Sequence, residues 1–221
     1  MLFRSDVILE YLPLYLKAAL LSAGIGLSSI VLAILIGMIA SMILYYRIPF
    51  LKRIISFYVE VSRNTPLMIQ LFFIYYGLPK IGIATSPLAC GIVGLSFLGG
   101  GYMCESIRGG LESISESQVE SAMALGMNKK QTMRYVILPQ ALRASLSGLV
   151  ANMIFMLKET SVLSAVSLMD LMFTAKDLIG LYYKTTEALF LLVVFYLLIL
   201  TPVILLGHLA ERRLTYGKMG V

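Results

Sequence analysis

The feature that most constrains this chain is a run of 29 residues, from Ala18 to Tyr46, without one charged side chain. A helix needs roughly 20 predominantly apolar residues to cross the hydrocarbon core of a bilayer, so this run can span a membrane. Hydrophobic residues make up 59% of the chain and charged residues 14%, whereas about 25% of residues in soluble domains are charged. The sequence therefore predicts an all-α integral membrane protein, with residues 1–221 forming a single membrane domain.

Four further stretches are candidate transmembrane helices, which gives five predicted spans in total. Asp6 and Glu10 lie where a signal peptide would carry positive charge, so we expect the first span to be retained. The fourth span is short and ends directly before a lysine and a glutamate. The four later spans are Ile54–Pro79, Ile81–Cys104 with an extension to about Leu111, Ala144–Leu157 and Ala188–Ala210.

Lysine and arginine positions predict the orientation, because these residues accumulate in cytoplasmic loops. With the N-terminus outside, eleven fall on the inner side: Arg47, Lys52, Arg53, Arg108, Lys129, Lys130, Arg134, Arg143, Arg212, Arg213 and Lys218. Five fall outside: Arg4, Lys17, Lys80, Lys176 and Lys184. The asymmetry predicts an N-out, C-in topology, and it explains the basic pI of 9.3 without nucleic-acid binding.

Charged and polar residues inside predicted spans are candidate functional residues, since each charge costs about 2.5–3.5 kcal/mol at the membrane centre. Arg63 and Glu105 can pair if the second and third spans are neighbours, either as a structural ion pair or as part of a substrate pathway. Glu159, Thr160 and Ser161 follow an apolar run too short to span alone, and transporters build sites at such broken helices. These three residues are either substrate ligands or parts of a packing or hinge element.

Small residues in the spans predict close helix packing. Alanine, serine and glycine recur four residues apart at Ala19/Ala23, Ser22/Gly26 and Ala33/Gly37, a spacing that lets helices approach in lipid and can also support a dimer. Gly99, Gly100 and Gly101 form a triplet where either a neighbour packs on bare backbone or the helix bends. We expect Cys90, Cys104 and His208 to bind no metal, because no ligand cluster surrounds them.

The segment VESAMALGMNKKQTMRYVILPQALR, from Val119 to Arg143, has mixed polarity within an otherwise apolar chain. Residues 116–125 have helical spacing, with Val119, Ala122 and Met123 on one face, and Gly126 offers a left-handed stop. Asn128 can cap a second short helix over Lys129–Ile137, which we expect Pro139 to end. Two short helices on the inner face suit either an interfacial membrane helix or docking to a cytoplasmic partner.

This segment contains three short motifs: Glu120-Ser121-Ala122, Leu125-Gly126 and Leu138-Pro139-Gln140-Ala141. Together they resemble the coupling loop of ATP-binding-cassette (ABC) importer permeases, with Ser121 where alanine is usual. Three further stretches resemble the subfamily that imports polar amino acids: RNTPLMIQLFFIYYGLP (63–79), GYMCESIRGGLESISESQVE (101–120) and LKETSVLSAV (157–166). The resemblance covers about residues 57–171.

The resemblance implies a type I ABC importer permease fold and a transport function in the bacterial cytoplasmic membrane. The loop at about 112–141 would then couple to a separate ATPase subunit through Glu120, Ser121, Ala122, Leu125, Gly126 and Pro139. Because the sequence has no GxxxxGK[ST] loop, ATP and magnesium are expected on that partner, with no catalysis and no cofactor on this chain. Further expected partners are a second permease chain, an external substrate-binding protein and membrane lipid. The alternative is an ion channel or a structural membrane subunit.

Overall fold

The structure, a computed structural model, describes residues 5–215. It is all-helical in this range, and it begins with helix α1 at Ser5–Tyr45. Within residues 5–215, four helices are long and apolar enough to cross a membrane: Asp6–Tyr45, Pro87–Glu112, Lys129–Val166 and Thr185–Arg213. These correspond to the predicted first, third, fourth and fifth spans.

The predicted second span, Ile54–Pro79, is wrong as a continuous helix. The chain forms α2 (Leu51–Asn64) and α3 (Leu67–Phe72), with Thr65 extended between them at φ −110° and ψ 129°. The break occurs because Pro66 lacks an N–H group and disfavours helical geometry in the residue before it. Gln70 closes the break, since its Nε2 donates to the carbonyls of Ser62 (3.0 Å) and Thr65 (2.9 Å). A π-turn (Phe73–Gly77) and a 3-10 turn (Leu78–Ile81) complete this segment.

Helix α4 (Pro87–Glu112) begins six residues after the predicted start at Ile81. The Ser86 side chain caps it by accepting from the Ala89 N–H at 3.2 Å, with Pro87 in the first turn, where its missing N–H costs nothing. The helix continues through its glycine triplet, which settles the two alternatives in favour of packing. Gly99 faces Ala33 and Met156, Gly100 faces Tyr58 and Ile36, and Gly101 faces Ser62.

A short helix, α5 (Glu116–Ala124), precedes one long helical segment. This segment comprises α6 (Lys129–Thr132), a π-turn (Met133–Ile137), α7 (Leu138–Glu159) and a 3-10 turn (Thr160–Val166). The prediction that Pro139 ends a short helix is therefore wrong. The Leu138 N–H donates to the Met133 carbonyl five residues back, and this wider turn accommodates the proline without breaking the helix.

The last two helices are α8 (Leu171–Tyr182) and α9 (Thr185–Thr215). At one end of the bundle, Tyr15 of α1 packs against both α8 and α9, and the Tyr15 hydroxyl donates to the Ala188 carbonyl at 2.9 Å. The other end joins Met42 and Tyr45 to Ile107, Leu111, Ile137 and Ala141. Residues predicted to be outside and inside thus separate to opposite ends.

The small residues of α1 are used within the chain. A side chain at Gly37 would collide with the Met103 Cβ (2.6 Å) and the backbone of α4, and Gly26 lies against Leu157 and Thr160. These close approaches join α1 to α4 and α7. The Ser22/Gly26 and Ala33/Gly37 pairs therefore do not argue for a dimer.

Candidate functional site

The turn after α5 is built from two local signals that the sequence contained. Gly126 has φ +82°, and the Met127 and Gly126 N–H groups donate to the Ala122 (3.2 Å) and Met123 (3.0 Å) carbonyls. This is the hydrogen-bond pattern of a helix that ends on a left-handed glycine. Asn128 then caps α6: its side-chain oxygen accepts from the Gln131 N–H at 3.0 Å, and its own backbone N–H donates to the Gln131 side-chain oxygen at 2.9 Å.

Helix α5 buries one face against its own chain and leaves the other open. Ala122 is 4% exposed, and Val119 packs on the cluster of Ile107 and Leu111. Met123, which was predicted to share this face, is instead 50% exposed, because the buried face is centred between Val119 and Ala122 and Met123 lies about 70° away from that centre. Glu120 and Ser121 are exposed, and Leu125 is 80% exposed.

A shallow groove of about 300 Å³ runs between α5 and the start of the long helical segment. Its walls include Ser121, Ala122 and Leu125 from the predicted coupling set, together with Val136 and Gln140. Pro139, in the first turn of α7, does not line it. Three of the six predicted coupling residues thus line one groove, with Glu120 next to Ser121 in α5 and Gly126 in the turn that follows.

The predicted partners Arg63 and Glu105 form an ion pair, with 3.2 Å between Arg63 Nη1 and Glu105 Oε2. Arg108 binds the same carboxylate through Nε (3.0 Å) and Nη2 (2.8 Å), and it reaches Glu112 through Nη1 at 2.8 Å. The Arg63 guanidinium also lies 5.4 Å from the centre of the Tyr102 ring. Glu105 therefore fixes Arg63 in position, and its carboxylate binds both Arg63 and Arg108.

Arg63 and Glu159 line the same cavity, which has a volume of about 430 Å³. Asn64 and Thr65 of the α2–α3 break line it as well, and Tyr102 contributes an aromatic wall. Glu159 forms no ion pair with any residue in the range 5–215. The cavity therefore presents a fixed cation and an unpaired carboxylate, which are the complements of a carboxylate and an ammonium group.

Thr160 and Ser161 do not line this cavity. Thr160 is 1% exposed, and its hydroxyl donates to the Leu157 carbonyl at 2.8 Å. Ser161 lines a separate, mostly apolar cavity of about 350 Å³ with Lys158 and Tyr196. The 3-10 turn that begins at Thr160 rotates these side chains away from Glu159.

Sequence reasoning missed part of the cavity wall. The Thr65-Pro66 pair was the available signal for a break inside the second span. Arg108 and Glu112 were not singled out, although Glu105, Arg108 and Glu112 have the three- and four-residue spacing of neighbours on a helix. Tyr102 gave no local signal, because it lines the cavity only through the packing of α2, α4 and α7.

Comparison with known proteins identifies the family. Residues 29–216 match the family described as "Binding-protein-dependent transport system inner membrane component". The probable glutamine ABC transporter permease protein GlnP of Bacillus subtilis (strain 168) is 33% identical over 171 residues, which cover 77% of this chain and 78% of that protein. The arginine transport system permease protein ArtQ of the same organism is 32% identical over 210 residues, covering 94% and 92%.

Solved structures share the fold. A crystal structure of an amino acid ABC transporter with histidines superposes with a TM-score of 0.89 and 30% identity, covering 96% of this chain and all of that one. An inward-facing MetNI methionine ABC transporter superposes with a TM-score of 0.77 at 20% identity, covering 96% and 99%, and it supports the fold alone. The chain therefore belongs to the family of inner membrane components of binding-protein-dependent transport systems.

Proposed function

We propose that this chain is the transmembrane subunit of a type I ABC importer that moves polar amino acids across the bacterial cytoplasmic membrane. The names of the relatives motivate the substrate class, since the glutamine, arginine and amino acid transporters above all carry such solutes. In this proposal residues 1–221 form one permease domain that carries no catalytic residue and no cofactor. ATP and magnesium bind a partner ATPase, and a second permease chain and an external substrate-binding protein complete the importer.

The proposed topology has five passes, N-out and C-in. The second pass is made by α2 and α3 together, which pack along the length of α4 through the membrane. Val59 packs in one cluster with Cys104, and further along, Cys90 Sγ lies 3.6 Å from the Leu71 carbonyl oxygen. A broken helix is tolerated at membrane depth where it packs against protein or lines a cavity.

Helix α5 is the proposed contact with the ATPase, and the burial of its apolar face is the observation that carries this assignment. An interfacial membrane helix would turn its apolar face to lipid, but Val119 and Ala122 face the core of their own chain. The open side offers Glu120 and Leu125 beside a groove, which suits a protein partner.

The coupling assignment predicts that Gly126→Val and Glu120→Lys abolish ATPase recruitment and uptake while the chain still inserts in the membrane. Valine at φ +82° strains the turn, and lysine reverses the charge of the docking face. Gly109→Val is the matched control, because a side chain there also meets open space and the backbone is an ordinary helix. Pull-down of the co-expressed ATPase and vesicle uptake would be measured together, and normal values for both variants would refute the assignment. Failure of wild-type chain to recruit any ATPase would favour a channel or structural subunit.

The cavity between Arg63 and Glu159 is the proposed substrate pathway, with Glu105 holding Arg63 in place. Glu159→Gln is expected to lower amino acid uptake and to leave assembly and basal ATPase activity intact, because only the ammonium contact is lost. Ser161→Ala is the matched control, since Ser161 lines a different cavity. Equal uptake by both variants would remove Glu159 from the pathway.

A further inference from the structure

The turn between α1 and α2 surrounds a cavity of about 670 Å³ that the proposed transport function does not use. Three cationic side chains line it, from Arg47, Lys52 and Arg53, and all three residues are exposed. Within the described range no carboxylate pairs with any of them. Three unpaired cations around one open cavity form a site for an anionic group.

The backbone of this turn is held in an unfavourable conformation. Arg47 has φ +51° and Phe50 has φ +67°, values that favour glycine over any other residue. The Arg47 and Ile48 N–H groups donate to the carbonyls of Leu44 (3.1 Å) and Ile43 (3.3 Å), so Arg47 occupies the position where a helix commonly ends on glycine. An arginine at this position provides a positive charge that glycine could not supply. Strained backbone conformations of this kind cluster at functional sites, so this one motivates a hypothesis of function.

Apolar side chains stand directly beside the cations. Phe50 is 81% exposed, Ile54 48% and Phe57 71%, and their spacing of four and three residues places them on one side of the turn and α2. The opposite side of α2, with Val59 and Ser62, packs on the bundle. The turn also begins where the first membrane-spanning helix ends, so cations and apolar side chains meet at the level of lipid headgroups.

We propose that this turn binds the phosphate of an anionic phospholipid, with Arg47, Lys52 and Arg53 around the headgroup and Phe50, Ile54 and Phe57 among the acyl chains. Basic pockets beside membrane-spanning helices bind anionic headgroups in this way. An acidic face of a soluble partner would satisfy the cations but would leave the apolar stripe without an apolar environment, so the lipid fits both halves of the surface.

The chain contains no tryptophan, so Phe50→Trp places a single fluorescent reporter in the proposed site. The full-length variant in mixed micelles would be titrated with brominated phosphatidylglycerol and, separately, with brominated phosphatidylcholine. Half-maximal quenching is expected at a mole fraction of the anionic lipid about a hundredfold lower, because each of the three cations contributes about fivefold. In this background Lys52→Gln/Arg53→Gln should weaken the preference by about fivefold per cation removed.

Arg212→Gln/Arg213→Gln is the matched control, because it removes two exposed cations from the last turn of α9. It should keep the preference, whereas equal loss in both double variants would show bulk charge attraction and overturn the site. Arg47→Gly gives a second test. It should raise the melting temperature in neutral detergent by relieving the positive φ, and it should still weaken the anionic preference about fivefold.

Two further outcomes would overturn the proposal. Relief of quenching by millimolar inorganic phosphate would show a site for the free anion and not for lipid. Equal quenching by both lipids, together with loss of ATPase pull-down in Lys52→Gln/Arg53→Gln, would show a protein contact. Because Phe50→Trp reports lipid without any transport measurement, these results stand apart from the test of the proposed import function.

Discussion

Helix α2 packs on α4 at Gly101, and this contact predicts that the effect of Gly101→Ala on the free energy of unfolding depends on whether residue 62 is serine or alanine. Alanine at Gly101 overlaps the Ser62 hydroxyl, which is fully buried and donates to the Val59 carbonyl at 3.1 Å. Overpacking of this kind costs about 1–3 kcal/mol, and alanine recovers about 1 kcal/mol over glycine in a helix. Gly101→Ala should therefore lower the free energy of unfolding by up to about 2 kcal/mol.

In a Ser62→Ala background the overlapping oxygen is gone, and the nearest remaining atoms are the residue-62 Cβ and the Arg63 Cγ, both at 3.2 Å. A shift of a few tenths of an ångström then suffices. The helix preference of alanine should make Gly101→Ala neutral or slightly stabilising, so the two substitutions should couple by about 1–2 kcal/mol.

Thermal unfolding of the four full-length variants in detergent would measure the cycle, with about 2–4 °C expected per kcal/mol for a chain of this size. Gly109→Ala is the control, because no atom lies within 4 Å of a side chain there, and it should stabilise both backgrounds equally. Additive effects of Gly101→Ala and Ser62→Ala would refute the packing argument.

Three further predictions concern the cap of α8, the carboxylate of the ion cluster and the cap of α6. Asp170 caps α8 through a side-chain oxygen that accepts from the Phe173 N–H at 2.8 Å. Burial raises the pKa of Asp170 to about 7, so the folded chain keeps a proton there that the unfolded chain has released, and stability should fall by about 2–3 kcal/mol from pH 5 to pH 8. Asp170→Asn preserves the cap and should abolish this loss in thermal melts at the two pH values; an unchanged pH dependence would contradict it. Glu105→Gln leaves Arg63 facing a second arginine, and it should lower the free energy of unfolding by about 1–3 kcal/mol in the same melts, whereas unaltered stability would mean that the cluster contributes little. Asn128→Ala should cost about 1 kcal/mol and should speed amide exchange at residues 129–132, and unchanged exchange there would count against the cap.

Local chemistry was readable from the sequence where a residue acts on its immediate neighbours. Gly126 and Asn128 form the predicted turn and cap, since backbone conformation and side-chain hydrogen bonding within three residues decide both. Arg63 and Glu105 pair as predicted, because charges within apolar spans need a partner.

Tertiary packing decided what the sequence did not reveal. Pro139 has the same local signature as a helix-ending proline, but the π-turn at Met133–Ile137, directly before α7, accommodates it. The glycine triplet allowed either a bend or a close contact until the neighbours of Gly99, Gly100 and Gly101 were known. Thr160 and Ser161 were grouped with Glu159 by adjacency alone, and the 3-10 turn separates them.

One long helical segment connects the groove beside α5 to the cavity that Glu159 lines. It starts at the Asn128 cap and carries Glu159 near its far end. The 29 residues from Gln131 to Glu159 span about 42 Å, because the helix rises 1.5 Å per residue. A tilt of only about 5° at the Asn128 end would displace the Glu159 end by about 4 Å, more than the length of a hydrogen bond. The π-turn at Met133–Ile137 lies close to the Asn128 end, where a bend would change the displacement at the cavity most, so its packing on the cluster of Ile107 and Leu111 matters for keeping the segment straight. A rotation imposed at the groove beside α5 would therefore reach the cavity along one continuous helical segment.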